Sequence, residues 1–386
     1  MISMDLSLRD LRNDINKREF NELESQAMSG FVNQAIDASK EMKKSQEKYS
    51  KLSDDILSLM IKNKLLTKQE LGFDDVKAES KMYTDAVDGS MQPYTKPDGN
   101  IISFLSAATI TFPNGYTSEA KVKIIPKISI VDEVDPNIAA SKAEDEMMAL
   151  EMYSMRKVVE ARSEGGILFL DGPIMDPPNR IPETDPPYEG ERAGIIREAI
   201  RKKISVIGIV KRIYGDSFTK HYSKNLSAPD QAKFSSMSSD KNLLVYTMTK
   251  FLSEKADREC IAVSKPIRLD HQIAKKYHAR GIDIWTFILK NGYSSPPIRI
   301  EIPTLADSGE PTQQMESAVR SIVAWSAPRR QIPVPVLLAH EKCNIKQGAA
   351  DVLYNEFMTR LWATDDEDDL MVFLQNSDNK GYNYGG

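Results

Sequence analysis

The sequence predicts an α/β fold. A mixed sheet opens with a three-strand antiparallel meander, continues with parallel strands and carries helices on both faces, with a helical region ahead of it. Three observations predict it. Between residues 82 and 131, three apolar-rich runs follow one another with short turns between them, which is the pattern of a meander. A long helical pattern from Asn137 to Ser163 then leads into Ile167–Leu170, so this helix is a crossover and the strand after it is parallel to the one it joins. Ile167–Leu170 and Ser205–Val210 are continuously apolar, as strands covered on both faces are.

Taken in order, residues 1–71 hold one glycine, Gly30, and no proline. Leu8, Leu11 and Ile15, then Leu52, Ile56, Leu59 and Met60, recur at helical spacing. One to three amphipathic helices are expected, forming an arm over residues 1–75 that packs on the core or serves a partner. Met82–Val87 is a short strand expected to stop at a turn, Asp88-Gly89-Ser90. Ile101–Phe112 is the second strand, Pro113-Asn114-Gly115 the turn, and Ala120–Val131 the third strand. Asp135-Pro136 opens the long helix and Gly165-Gly166 closes it. Ile167–Leu170 runs into Asp171-Gly172-Pro173 and a proline-rich loop over 173–189. A helix around Glu191–Lys202 precedes the strand that ends at Lys211. Residues 225–280 read as largely helical. Trp285–Lys290, Ile298–Ile302 and Pro335–Ala339 read as strands, and Ala349–Trp362 as a closing helix. The main domain therefore spans 76–362, and the acidic tail 363–386, with Asp365-Asp366-Glu367-Asp368-Asp369, is expected to be flexible.

Composition excludes several classes. Of 386 residues, 41% are hydrophobic and 28% charged, which are globular values. Two cysteines, Cys260 and Cys343, exclude a disulfide scaffold and a Cys-rich zinc module. No apolar run reaches the ~18 residues of a membrane span. The charged N-terminus lacks an apolar signal core. A soluble cytoplasmic protein is expected. There is no P-loop, no GxGxxG, no HExxH and no GxSxG. With 51 basic and 56 acidic residues the net charge is −5, which by itself counts against a nucleic-acid partner. The distribution is uneven, however. Arg197–Lys224 holds eight Lys/Arg and two acids, and Lys265–Arg280 five and one.

The candidate chemistry rests on carboxylates. Either Asp-Gly pair alone is an ordinary turn. If their strands are parallel neighbours, though, Asp88 and Asp171 emerge at one sheet edge, where ligands of open α/β sheets bind. Glu151 lies within the apolar stripe of the crossover helix, four residues from Met147 and four from Met155. It needs either a basic partner or a cation. Three converging carboxylates call for a hard divalent metal, Mg²⁺ or Mn²⁺. Two such ions promote phosphodiester hydrolysis. His340, at the end of an expected strand, is a fourth candidate as ligand or proton shuttle. Lys211, with Lys202, Lys203 and Arg212 in the same basic segment, is a candidate for holding phosphates.

The order of meander, Glu-bearing helix and Asp-bearing fourth strand is that of the RNase H-like fold. Within it the sequence resembles the NurA family, nucleases that work with the hexameric translocase HerA. The stretches that carry the resemblance are AVDGS at 86–90, ALEMYSMRKVVEAR at 149–162, LFLDGPI at 168–174, IGIVKR at 207–212, PIRIEIP at 297–303 and PVPVLLAHEKCNI at 333–345. The resemblance implies a manganese-dependent DNA nuclease, with magnesium as the alternative ion and two ions per site. Single strands and the 5′ ends of duplexes would be its substrates. It also implies a homodimer docked on a HerA-type ATPase during DNA end resection and repair. It points to Asp88, Glu151 and Asp171 as metal ligands, to His340 as the fourth site residue, and to a nearby tyrosine, for which Tyr246 is the choice. A non-catalytic DNA-binding or translocase-docking module of the same fold, and a metal-free carboxylate hydrolase, are the alternatives.

Overall fold

The computed structural model describes residues 25–95, 101–131, 135–175, 188–326 and 332–362. The expectations for Leu8, Leu11 and Ile15, for most of the proline-rich loop and for the acidic tail lie outside these residues. A helix α1 (Ser25–Lys62) leads into strand β1 (Leu66–Gln69) and a one-turn helix α2 (Phe73–Val76). The meander follows as β2 (Thr84–Thr95), β3 (Ile101–Tyr116) and β4 (Lys121–Val131). Next come the crossover helix α3 (Pro136–Ala161), β5 (Ile167–Asp171), α4 (Tyr188–Arg201) and β6 (Ser205–Val210). Three helices, α5 (Ser217–Ser223), α6 (Ala228–Ser235) and α7 (Asp240–Phe251), precede β7 (Ile261–Ser264) and β8 (Ile267–Arg268). The chain closes with α8 (Gln272–Ala279), β9 (Ile282–Asn291), β10 (Ile298–Leu305), α9 (Thr312–Trp325), α10 (Val334–Cys343) and α11 (Gln347–Trp362).

Among the described residues, ten strands join one sheet, in the order β1-β7-β9-β10-β6-β5-β2-β3-β4, with β8 paired to β9. β2, β5 and β6 are parallel neighbours, so the expected RNase H-like arrangement is present. The pleat divides the core. Leu168, Leu170 and Val206 pack with α3, α4 and α8 on one face. Phe169, Ile207 and Ile209 pack with α9 and α10 on the other. A third cluster joins α1 to α5, α6 and α7 through Ile56, Met60, Phe218, Phe234 and Leu244.

Four expectations are corrected. First, Asp88-Gly89-Ser90 is not a turn. β2 continues to Thr95 because β3 supplies an antiparallel ladder partner for every residue, Asp88 facing Ala108 and Gly89 facing Ala107. Second, the hairpin turn falls after Pro113-Asn114-Gly115, where the Ser118 amide bonds the Gly115 carbonyl at 3.1 Å. Gly115 has φ 61°, and a Cβ there would lie 2.1 Å from the Ser80 carbonyl oxygen. Third, residues 225–280 include β7 and β8. Fourth, Pro335–Ala339 is helical, within α10. A short apolar run does not separate a buried strand from a buried helix, and Pro335 sits in the first turn, where no amide is needed. Strand β1, within residues 1–75, pairs with β7 and so adds to the same sheet.

One buried charge tests this packing. Lys290 on β9 is 3% exposed and donates to the Ser295 carbonyl. Burial pulls its pKa down to about 8. The unfolded chain therefore binds more protons than the folded one between this value and the ordinary lysine value, and stability rises with pH over that window. Lys290→Met is expected to be more stable than the wild type at neutral pH by about 1–3 kcal/mol, with the gap shrinking as pH approaches about 10. Urea denaturation of both proteins at several pH values checks this.

Candidate functional site

The parallel register Thr84–Ile167 through Val87–Leu170, carried one residue further, sets Asp88 beside Asp171. Alternation along each strand turns both to the face that carries α10. His340 comes from that helix. Its Nδ1 lies 2.8 Å from Asp88 Oδ2 and 3.3 Å from Asp171 Oδ2. One donor atom from each of the three lies within 4.8 Å of the other two. Both aspartate side chains are nearly buried, whereas the imidazole is 56% exposed. His340 thus reaches the site from a helix rather than from a strand end.

Glu151 comes from the opposite face of the sheet. Its Oε1 accepts a hydrogen bond from the Gly89 amide at 2.9 Å. The Arg192 guanidinium on α4 lies 3.9 Å from its Oε2. The side chain is 17% exposed and lines the cavity of about 190 Å³ that Asp88 and Asp171 also line. Glu151 therefore belongs to the same cavity but stands beside the Asp88–Asp171–His340 cluster rather than inside it. Gly89 makes this approach possible, since a Cβ there would meet Glu151 Cγ at 2.7 Å.

The electrostatics follow from burial. Asp88 is pushed up to about 7, first by burial and then by the charge of Asp171, while the Cys343 thiol pulls it back. Glu151 is pushed up to about 7 by burial, against the pull of Arg192. Cys343, three residues after His340 on α10, donates Sγ–H to Asp88 Oδ2 at 3.3 Å, and burial beside Asp88 holds its thiol far above the usual range. Lys211 Nζ lies 2.5 Å from Asp171 Oδ2. These acids are only partly neutralised by protein groups. Two carboxylates and an imidazole in this arrangement fit a Mn²⁺- or Mg²⁺-type ion.

Other candidates sit elsewhere. Tyr246 on α7 packs in the third core cluster, with its ring 5.9 Å from that of Tyr49. The period of α7 turns it toward α1, and it does not line the cavity. Lys202 donates to the carbonyls of Val159 and Arg162, at 2.8 Å each, and so caps the end of α3. Lys203 pairs with Glu164. Both precede β6, so they stand at the sheet edge opposite Asp171, about 20 Å of strand away. Lys211 and Arg212 follow β6 and share the edge with the carboxylates. Arg192 and Cys343 were missed. The spacing of Cys343 from His340 was the available signal.

The sequence matches the NurA domain family over residues 84–345. The chain belongs to the NurA family. The fold resembles the crystal structure of the NurA nuclease from Sulfolobus solfataricus, with a TM-score of 0.57 at 14% identity, covering 89% of this chain and 99% of that one. A second NurA structure matches with TM-score 0.45 and 11% identity over 78% of this chain and 94% of that one. A NurA bound to dAMP and manganese matches with TM-score 0.37 and 13% identity over 85% and 95%. No curated protein matches the chain. No described helix is long and apolar enough to cross a membrane.

The cluster of this NurA-family chain carries a direct test. Asp88→Asn removes one of two adjacent buried charges. It is expected to raise metal-free stability at about pH 8 by roughly 1 kcal/mol. A rise in melting temperature is expected when Mn²⁺ is added to the wild type, because a ligand of the folded state stabilises it, and Asp88→Asn is expected to abolish that rise. Thermal denaturation with Mn²⁺ and with a chelator measures both effects.

Proposed function

We propose that the chain is a divalent-metal-dependent DNA nuclease. The observation that carries this reading is the convergence of Asp88, Asp171 and His340 where β2 runs beside the carboxyl end of β5, with Glu151 lining the same cavity as the two aspartates. Membership of the NurA family supports it, and a member with the same fold is named a nuclease. Asp88, Asp171 and His340 would hold one ion, and Glu151 stands where it would help to hold a second. Bound ions of this type supply Lewis acidity and charge neutralisation at a phosphodiester.

The protein groups have distinct parts. Asp88 and Asp171, both nearly buried, concentrate negative charge at the wall of the cavity. Gly89 and Arg192 orient the Glu151 carboxylate from either side. The ring of His340 is half exposed, and its second nitrogen would be able to pass a proton to or from an attacking water or a leaving oxygen. Lys211 adds a positive charge at the rim beside Asp171. It is placed to counter the charge of a bound phosphate.

The finer assignments follow the family. The reading takes in manganese as the working ion, a two-ion mechanism, single strands and 5′ ends as substrates, and a homodimer in the cytoplasm. It also includes action with a HerA-type hexameric ATPase in DNA end resection and repair. A division into an N-terminal arm up to residue 75 and a nuclease domain over 76–362 completes it.

Labelled single-stranded and duplex DNA with Mn²⁺ provides the test. The wild type is expected to degrade DNA, and a chelator to stop it. Asp88→Ala and Asp171→Ala are each expected to lower the rate by on the order of 10³-fold or more with an unchanged circular dichroism spectrum. Binding without degradation would favour the docking module, and degradation that survives the chelator a metal-free hydrolase. Gly89→Ala is a finer probe. Its methyl group is expected to displace Glu151 and lower turnover by roughly ten- to a hundredfold while the aspartates stay in place.

A further inference from the structure

Beside the carboxylates, the same sheet edge opens into a cleft of about 510 Å³. Lys211, Arg212 and Tyr214 of the loop after β6 line it, with Lys241 on α7 and Pro296-Pro297 just ahead of β10. None of its lining residues is acidic. Lys211 belongs to both places, since it lines this cleft and pairs with Asp171. The strand order β2-β5-β6-β10 places Asp88, Asp171, Lys211 and Pro297 in succession along one edge. At about 4.8 Å per strand, the row extends roughly 15 Å. β10 runs antiparallel to β6, with Arg299 facing Val210, so its first residues meet the last residues of β6.

Tyr214 is 69% exposed. Its hydroxyl lies 3.5 Å from Arg212 Nη1. Among the described residues, no carboxylate lies within ion-pair distance of Arg212 or Lys241. A single exposed aromatic ring is unremarkable on a protein surface. An exposed ring flanked by cations, in an acid-free cleft continuous with a candidate phosphodiesterase site, fits one class of ligand.

We propose that this cleft is a subsite for single-stranded DNA, with a base stacked on Tyr214 and the neighbouring phosphates held by Arg212 and Lys241. The inference rests on the nuclease reading and adds to it how the strand is gripped. Stacking on a ring tolerates any sequence, because every base has a π-face. It requires an unpaired base, because the faces inside a duplex are already stacked. The cleft would thus favour single strands without reading their sequence.

Equilibrium binding tests the proposal on the full chain. The probe is a fluorescein-labelled thymidylate oligomer of about 15 nucleotides in chelator, so that it stays intact. Tyr214→Ala is expected to weaken binding on the order of tenfold, and Tyr214→Phe to restore it. An oligomer carrying one 2-aminopurine is expected to lose fluorescence quenching in Tyr214→Ala. Arg212→Ala and Lys241→Ala are each expected to reduce the slope of log affinity against log salt by about 0.7, whereas Tyr214→Ala leaves that slope in place. Equal affinity of Tyr214→Ala and wild type, in a protein that degrades DNA with Mn²⁺, would overturn the subsite and leave the nuclease reading standing. A wild type that neither binds nor degrades the oligomer would overturn both.

Discussion

The site depends on one constraint, the parallel pairing of β2 with β5, which sets Asp88 next to Asp171. Two like charges about 4 Å apart repel by roughly 4 kcal/mol at the effective dielectric of a protein near its surface. A loose framework would relieve that strain by moving apart. Here the strands sit centrally in a ten-stranded sheet, with Leu168 and Leu170 locked under α3 and α4, and Phe169 under α9 and α10. The other end of β2 is pinned as well. Asp85 pairs with Arg162, whose guanidinium also bonds the Ile167 carbonyl at 3.1 Å and covers the Tyr83 ring at 4.3 Å. β2 therefore carries a satisfied buried acid, Asp85, and three residues on an incompletely satisfied one, Asp88.

The pleat decides which groups answer those charges. Asp88 and Asp171 share a face with α10, so His340 and Cys343 approach from there. Glu151 comes from α3 on the far side and accepts from the Gly89 amide within β2. Its position balances that bond against the more distant pull of Arg192. The missing side chain at residue 89 lets the carboxylate approach the strand, and so a glycine that resembled a turn signal proves to be a spacing device.

Much of this was legible because it rests on local pattern. The crossover from Asn137, the double-glycine stop and the apolar strand ending in Asp171 depend on residues adjacent in sequence. Glu151 was legible as a carboxylate in an apolar stripe. What failed depended on partners distant in sequence. Asp88-Gly89-Ser90 is strand because β3 supplies its ladder, which a turn propensity cannot register. His340 stands on a helix, because PVPVLLA fits either a strand or a proline-started helix. Lys202 has the charge of a phosphate ligand but caps α3. Only the direction of β6 separates it from Lys211, nine residues later at the opposite edge.

That separation changes how the net charge of −5 should be read. The basic excess of Arg197–Lys224 does not form one surface. Arg201, Lys202 and Lys203 are tied up with Glu198 and Glu164 at the edge away from the carboxylates. Lys211 and Arg212 stand at the site edge, and the fold adds Lys241 from a distant helix to the same cleft. At physiological salt the Debye length is about 8 Å, so exposed acids farther away than that contribute little to the field in the cleft. A few cations gathered along one strand edge can therefore govern phosphate binding in a protein that is acidic as a whole. On the proposed reading, attraction and chemistry share one geometric origin, the row of groups from Asp88 on β2 to Pro297 just ahead of β10.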